Sequence, residues 1–176
     1  MTHGWRGVCL SVAAVTIAVA GCSAEQKREY TLPKSLCGVP APTQALSKLL
    51  PTGKHLAVDE ATPVADAITT CKATVDGDLV LSVERESREA GASARDIAAN
   101  QLGVKQPVSA DRNSVAYADW AAVSVVECRG GGTADKDISV AVKVLKPGHR
   151  DESAMKELIL EYTSAFKKQR PCKETP

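Results

Sequence analysis

The chain has 176 residues, of which 44% are hydrophobic and 24% charged, and its formal net charge is +1. This length suits one domain, and the composition is typical of a globular protein, which argues against a wholly disordered chain, a collagen or a coiled coil. The near-neutral charge and the aromatic content of 3% argue against nucleic-acid binding, which needs cations for phosphates and aromatic rings for bases.

The first 21 residues predict a secretory signal peptide. Arg6 is the only charged residue before Glu25, and the stretch from residue 7 to residue 20 is almost wholly apolar. A basic head, a short apolar core and small residues at its end are the three parts of such a signal. The core is too short to cross a membrane as a helix, because about 20 apolar residues are needed to span the hydrocarbon layer.

The end of this segment indicates how the chain is processed. Its last residues and the next cysteine, Val19-Ala20-Gly21-Cys22, resemble the lipobox of bacterial lipoproteins. In that family the cysteine thiol receives a diacylglyceryl group, cleavage falls just before the cysteine, and the new amine is usually acylated as well, for example with palmitate. The resemblance implies a mature protein that starts at Cys22 and is held in a bilayer by its acyl chains, since two or more chains anchor a protein stably.

An alternative route is ordinary signal peptidase cleavage after Ala20, because Ala18 and Ala20 also satisfy the small-x-small rule. Cysteine parity separates the two routes. The chain has six cysteines, and Cys9 leaves with the signal, so ordinary cleavage leaves five, with one unpaired thiol in an oxidising compartment. Lipidation of Cys22 leaves an even set of four, which makes it the favoured route.

The mature chain is predicted to comprise a lipidated cysteine with a short tether, residues 22–36, and one domain, residues 37–176. The tether is polar, which predicts a flexible connection that keeps the domain near the lipid surface. Removal of Arg6 lowers the 22 cationic side chains to 21, which balance the 21 acidic ones. The domain therefore has little net electrostatic attraction to anionic lipid.

The domain begins with a short helix and a β-hairpin. Residues 43–50 carry leucines at helical spacing and are followed by Pro51, and residues 51–66 are predicted to be mostly loop. The hairpin pairs a strand at residues 69–75 with a strand at residues 79–85.

Two registers are open for this hairpin. Pairing Val75 with Leu79 across Asp76-Gly77-Asp78 keeps one apolar face, and we favour it. A two-residue turn at Asp76-Gly77 fits the preference of that dipeptide but mixes the faces. The favoured register predicts a core face made of six side chains, which are Cys71, Ala73, Val75, Leu79, Leu81 and Val83.

The rest of the domain carries further helix and strand signals. Ser93 begins a helix that continues through Leu102 and ends at Gly103, and Asp151 begins an amphipathic helix that extends to about residue 169. Between these helices the pattern predicts strands at residues 115–117, 121–128 and 138–145, with a glycine loop at residues 130–132. The sum is an α+β fold with an antiparallel sheet of four to five strands and helices packed on one face.

The four cysteines of the mature domain are predicted to form two structural disulfides. Spacing alone cannot decide among the three possible pairings. We favour Cys37–Cys71 and Cys128–Cys172, because each joins a segment flanking another element to the sheet. The sequence has no Cys-x-x-Cys motif and no histidine cluster, so we predict no metal site, no redox cysteine and no cofactor.

No catalytic constellation is indicated. His55 and His149 are the histidines left after processing, and either is a candidate base for a hydrolase that also uses Ser and Asp. The sequence lacks a Gly-x-Ser-x-Gly motif to present a nucleophile, so both histidines are predicted to be exposed loop residues. Four cations lie near the C-terminus, namely Lys167, Lys168, Arg170 and Lys173. We expect them to stabilise the helix dipole and to keep the protein soluble, and we favour this role over binding of lipid headgroups.

Together with the lipobox, two segments and the terminal helix resemble small secreted actinobacterial lipoproteins of unknown function. The segments run from Tyr30 to Pro40 and from Cys71 to Gly77, and the helix ends near Cys172. The resemblance covers most of the mature chain and implies attachment to the extracytoplasmic face of the cell membrane. Its motifs are structural, so it implies no catalytic residues.

We therefore expect a non-enzymatic, lipid-anchored domain that binds a protein or a small ligand at the cell envelope. One alternative is an envelope hydrolase that uses His55 or His149. Another is a purely structural partner in envelope assembly. A cleft on the domain would favour ligand binding, and a flat apolar patch would favour assembly.

Overall fold

The computed structural model describes residues 27–61, 68–129 and 136–173, together with Met1. The predicted signal peptide, Cys22 and the predicted glycine loop lie outside the described residues. Within these ranges the chain forms nine strands and three α-helices. In chain order they are β1 (Ser35–Leu36), β2 (Val39–Pro40), α1 (Thr43–Leu49), β3 (Leu56–Ala61), β4 (Ile68–Val75), β5 (Asp78–Glu89), α2 (Ala94–Asn100), β6 (Val108–Ala110), β7 (Val115–Tyr117), β8 (Ala121–Val126), β9 (Lys136–Val144) and α3 (Glu152–Lys168).

Seven of the strands form one antiparallel sheet in the order β3-β4-β5-β9-β8-β7-β6, and β1 and β2 form a separate hairpin. The fold is α+β, as predicted, but the sheet has more strands than the four to five expected. The two edge strands account for the difference. β3 lies where a loop was predicted and is mostly exposed, and β6 has only three residues. β6 is too short to show a pattern, and β3 begins with three successive apolar residues followed by two acidic ones instead of alternating.

Helices cover both faces of the sheet, which corrects the prediction that they pack on one face. α1 and α3 lie on one face, where Leu158 and Tyr162 belong to the main core. α2 lies on the other face, and its Ile97 packs into a second core with Val123 and Val125 of β8. All six residues of β8 are buried as a result. A continuous apolar run predicts such burial but does not indicate which helix covers which face.

The β4–β5 hairpin uses the register that was not favoured. Val75 pairs with Asp78, and the two turn residues, Asp76 and Gly77, both have positive φ angles, as a two-residue type I′ turn requires. Between Ala73 and Thr74 the register shifts, and Val80 is an extra, unpaired residue of β5 at this β-bulge. The bulge keeps the apolar side chains of the two strands on one face. Beyond the bulge, Cys71, Ala73, Leu81 and Val83 share the core face as predicted, whereas Val80 is buried there and Leu79 is only half-buried.

The long helix α3 forms as its sequence predicts. The side chain of Asp151 caps it by accepting a hydrogen bond from the backbone N–H of Ala154 at 2.8 Å. Its apolar stripe, which includes Met155 and Phe166, is buried against the sheet. The Tyr162 hydroxyl donates to the carbonyl of Leu36 at 3.3 Å, and burial raises the pKa of Tyr162 to about 12.

Both predicted disulfides are present. Cys37–Cys71 joins the β1–β2 turn to β4, and Cys128–Cys172 joins the segment after β8 to the segment after α3. The bridged residues are 34 and 44 positions apart in sequence. Closing loops of this length stabilises a fold by about 3–4 kcal/mol each in the chain-entropy treatment.

The described part of the predicted tether packs against the domain. The Arg28 guanidinium donates to the carbonyls of Ser47 and Leu50 at 2.8 and 2.7 Å, and so covers the C-terminal end of α1. The Tyr30 hydroxyl donates to the carbonyl of Pro51, and the backbone N–H of Glu29 donates to the carbonyl of Gly53 at 2.8 Å. The domain therefore begins near Arg28, earlier than the predicted boundary at residue 37.

A buried carboxylate joins two loops at one end of the sheet. Asp137 at the start of β9 is 1% exposed. Its carboxylate oxygens accept hydrogen bonds from the backbone N–H groups of Gly91 at 2.8 Å and Cys128 at 3.3 Å. The side chain thus connects the loop after β5 with the segment that follows β8.

We predict that Asp137→Ala lowers the free energy of unfolding by about 1–3 kcal/mol, because two backbone N–H groups lose their hydrogen bonds to a buried carboxylate. Urea denaturation followed by circular dichroism measures the change. Glu161→Ala also removes one negative charge, from an exposed position of α3, and serves as the matched control. Equal stability of the two variants would show that the Asp137 hydrogen bonds do not stabilise the fold.

Candidate functional site

A groove lies at the C-terminal end of α3. It has two neighbouring parts with volumes of about 630 and 370 Å³, and Asp111 and Lys167 line both. One wall is a short 3₁₀ turn, Asp111–Asn113, between β6 and β7. The opposite wall is the end of α3 and the segment that carries Cys172.

The groove combines cationic walls with an apolar base. Arg112 comes from the turn, and Lys167, Lys168 and Arg170 come from the end of α3 and the residues after it. The base is built from valines at the ends of neighbouring strands and from the adjacent face of α3. The apolar residues of the α3 side that line it are Val115, Val126 and Leu160.

The turn that forms one wall has an unusual backbone. Asp111, Arg112 and Asn113 have φ angles of 45°, 52° and 70°. Asp and Asn tolerate this left-handed region, but Arg gains nothing from it and its conformation costs about 1–2 kcal/mol. The Ser114 hydroxyl holds the turn by donating to the backbone carbonyl or carboxylate of Asp111, both at 2.9 Å.

Residue 170, on the facing wall, is also left-handed, with a φ angle of 57° at Arg170. Two arginines in strained backbone therefore line the same groove. Strained residues of this kind persist when the surrounding structure enforces them, and they are concentrated at binding sites. Here the Cys128–Cys172 disulfide and α3 hold one wall, and the Ser114 hydrogen bonds hold the other.

The charge balance of the groove is positive. Its lining has four cationic and two acidic side chains, the latter being Asp111 and Glu127. Both carboxylates already have partners, since Asp111 accepts from Ser114 and Glu127 is ion-paired with Arg129 at 3.2 Å. In the part of the chain that the structure describes, none of the four groove cations is ion-paired. The carbonyl end of α3 offsets part of this charge, as the predicted dipole role requires.

The two candidate histidines lie apart from the groove lining. The His55 side chain is 89% exposed, and its Nδ1 lies 3.7 Å from a carboxylate oxygen of Asp76. His149 is also exposed and donates its backbone N–H to the carbonyl of Leu49 at 2.8 Å. No serine hydroxyl hydrogen-bonds to either imidazole among the described residues. Nothing in this geometry favours a hydrolytic triad.

Asp76 has a structural role in the hairpin turn. Its carboxylate accepts hydrogen bonds from the backbone N–H groups of Lys54 and His55, at distances from 2.8 to 3.1 Å. These bonds, that of Lys54 first, lower the pKa of Asp76 below its ordinary value of 3.8. The carboxylate therefore fixes the loop before β3 to the β4–β5 turn.

The described ranges contain no cluster of three or more His, Cys, Asp or Glu residues that could hold a metal ion. They also contain no helix with the length and apolar character needed to cross a membrane.

Comparisons of the chain with protein-family models, with curated proteins and with solved structures found no match.

Sequence reasoning identified part of the groove. It singled out Lys167, Lys168 and Arg170 but assigned them to the helix dipole, and it did not select Arg112. A signal was present, because Asp111-Arg112-Asn113-Ser114 is a cluster of turn-forming polar residues between two strands. The sequence pattern did not show that the end of α3 lies beside this turn, because the two segments come together only in the folded chain.

We predict that Asp76→Asn makes stability less dependent on acid pH. A carboxylate whose pKa is lowered by folding stabilises the fold above its unfolded pKa and loses that contribution as pH falls through its folded pKa. The free energy of unfolding of the wild type, relative to the variant, should thus decline below pH 3.8. Denaturant titrations between neutral and strongly acid pH measure this difference.

His55→Ala is the control for the same turn, because it removes the neighbouring imidazole and leaves the Asp76 carboxylate and its backbone donors in place. Its acid profile should follow that of the wild type. A constant difference between wild type and Asp76→Asn at every pH would refute the assigned role of the charge.

Proposed function

We propose that this protein is a lipid-anchored, non-enzymatic binding domain on the extracytoplasmic face of the cell membrane, and that its groove holds an anionic ligand. The anchor is the acylated Cys22 that follows the signal peptide. The ligand carries carboxylate or phosphate groups, either free or on a partner protein. The observation that carries the proposal is the set of four cations around an apolar base, none of which is ion-paired within residues 27–61, 68–129 and 136–173.

The cysteine pairing supports the anchor. The four cysteines of the domain are all used by Cys37–Cys71 and Cys128–Cys172. With Cys9 removed in the signal peptide, Cys22 is the remaining cysteine of the chain. An unpaired thiol is disfavoured in an oxidising compartment, whereas an acylated cysteine needs no partner.

The composition of the groove supports an anionic ligand with apolar groups. Arginine and lysine donate charge-assisted hydrogen bonds to carboxylate and phosphate oxygens, and the planar arginine guanidinium can do so in pairs. The valine base would contact the uncharged part of the ligand. A volume of about 630 Å³ is in the range of small-molecule sites.

The distribution of apolar surface favours ligand binding over a purely structural assembly role. Among the described residues of the domain, the exposed large hydrophobic side chains are Ile68, Val108 and Leu145, which lie on separate elements and are 37–44% exposed. Scattered single residues of this kind are normal on a monomer, and an assembly surface needs a contiguous apolar patch.

We predict that Cys22→Ala releases the protein from membranes, because acyl chains supply about 0.8 kcal/mol per buried methylene and the domain has no net charge to replace them. Membrane fractionation and intact-mass spectrometry of the mature chain measure the effect. Cys9→Ala, in the segment that is removed, is the matched control and should leave both fractionation and mass of the mature protein unchanged. Unaltered membrane association of Cys22→Ala would refute the anchor.

We predict that Arg112→Gly combined with Lys167→Ala weakens binding of citrate and of pyrophosphate by about two- to thirtyfold, since two exposed charge pairs are lost and each contributes about 0.2–1 kcal/mol. Affinity should also fall as salt is raised. Isothermal titration calorimetry at low and physiological ionic strength measures both effects. Comparing the two anions distinguishes a carboxylate site from a phosphate site.

Arg112→Gly is chosen because glycine adopts the left-handed backbone without strain. Its stability should equal or slightly exceed that of the wild type, so a loss of binding cannot be attributed to unfolding. Lys48→Ala with Lys54→Ala removes two exposed cations elsewhere and is the charge-matched control. If the control weakens anion binding as much as the groove variant does, or if neither anion binds the wild type, the proposed site is refuted.

A further inference from the structure

The position of the groove relative to the anchor follows from where the N-terminal segment joins the domain. Arg28 is bound to the carbonyls of Ser47 and Leu50 at the C-terminal end of α1. The neighbouring carbonyl of Leu49 accepts a hydrogen bond from the backbone N–H of His149, two residues before the cap of α3. We call this the Arg28 end of the domain, defined by Arg28, residues 47–50 and His149.

The groove lies at the opposite end of α3. The helix has 17 residues, and a rise of 1.5 Å per residue makes it about 25 Å long. Lys167, Lys168 and Arg170 line the groove at the C-terminal end of this helix. The Arg28 end and the groove are thus separated by about the full length of α3.

The chain between the proposed anchor and the Arg28 end is short. Arg28 is six residues after Cys22. Even a fully extended chain covers at most about 3.5 Å per residue, so Arg28 lies within about 20 Å of the lipidated cysteine. If the groove faced the bilayer, the Arg28 end would have to stand about 25 Å above it, which is beyond this reach.

We infer that the Arg28 end faces the lipid bilayer and that the groove opens away from the membrane. The inference rests on the proposed lipid anchor at Cys22. A connection of six residues allows the domain to tilt but not to turn over. The length of the chain between Cys22 and Arg28 sets this orientation, so no electrostatic attraction between the domain and the lipid is needed.

This orientation restricts the ligand of the groove. Headgroups of the bilayer that carries the anchor are out of its reach, so phosphate or carboxylate groups of those lipids are not its ligands. The groove instead takes an anionic molecule, or an anionic group of a partner, from the space beyond the membrane surface. The cations of the groove therefore serve recognition and not membrane adhesion.

A single tryptophan makes the orientation measurable. Trp120 is the one tryptophan after the signal peptide. It lies at the Arg28 end of the domain, beside the start of α3. The N-cap residue Asp151 donates its backbone N–H to the carbonyl of Asp119, and the Arg150 guanidinium lies 5.7 Å from the centroid of the Trp120 ring. Energy transfer from Trp120 to a dansyl group on lipid headgroups reports its distance from the bilayer.

The experiment uses the full lipidated protein in phosphatidylcholine vesicles that contain dansyl-labelled phosphatidylethanolamine. We expect transfer from Trp120 to be several times more efficient than transfer in the Trp120→Phe/Lys168→Trp variant, whose tryptophan lies at the groove. Trp120→Phe/Ser164→Trp, also at the groove on an exposed face of α3, is a second variant in case the first does not fold. Inserting a Gly-Ser linker that adds roughly 40 Å of reach after Gln26 should reduce the difference.

Vesicle flotation separates failure of the anchor from failure of the orientation. A protein that does not float with the vesicles refutes the lipid anchor and the orientation with it. A protein that floats but shows equal transfer from both positions, or stronger transfer from the groove, overturns the orientation alone.

Discussion

The packing of α3 on the seven-stranded sheet determines both the shape of this domain and the place of its candidate site. Met155, Leu158, Tyr162 and Phe166 are all buried in the main core. Burying side chains of this size stabilises a fold by about 1.5–3 kcal/mol each. Because these side chains are spread along the helix, both of its ends have defined positions relative to the sheet. One end lies beside the segment that begins at Arg28, and the other forms a wall of the groove.

The groove depends on this rigidity. Left-handed backbone at Arg112 and Arg170 costs free energy, which the core, the Ser114 hydrogen bonds and the Cys128–Cys172 disulfide offset. The same features hold four cations along one groove, and none of them has a carboxylate partner in the described part of the chain. Mutual repulsion of these cations is the second cost, and it is reduced when an anion binds between them. Strain and unpaired charge are thus both concentrated at one end of the domain.

The proposed anchor and the groove lie at opposite ends of the domain. A domain with balanced charge has little attraction to a membrane, and the acyl chains of Cys22 would hold it there. The N-terminal segment packs on the domain from Arg28 onward, and Arg28 is six residues after the proposed anchor at Cys22. Under this proposal the Arg28 end of the domain lies close to the bilayer and the cationic groove opens to the space outside.

The sequence by itself determined the features that depend on neighbouring residues. Caps at Ser93 and Asp151 defined where helices begin, because a side chain near the first turn meets its N–H groups. The type I′ preference of Asp76-Gly77 was readable for the same reason, although the alternating apolar pattern argued for the other register. Cysteine parity indicated two bridges, and both observed pairs were those favoured.

Tertiary structure alone decided what depends on distant contacts. The bulge that adds Val80 reconciles the turn with the core face, and it forms because both strands must bury their apolar side chains. The edge strand β3 exists because β4 offers it hydrogen-bonding partners, not because its own pattern is alternating. The coverage of both faces of β8 and the meeting of Arg112 with the end of α3 arise in the same way. Each joins segments far apart in sequence, and local patterns carry no information about which segments meet.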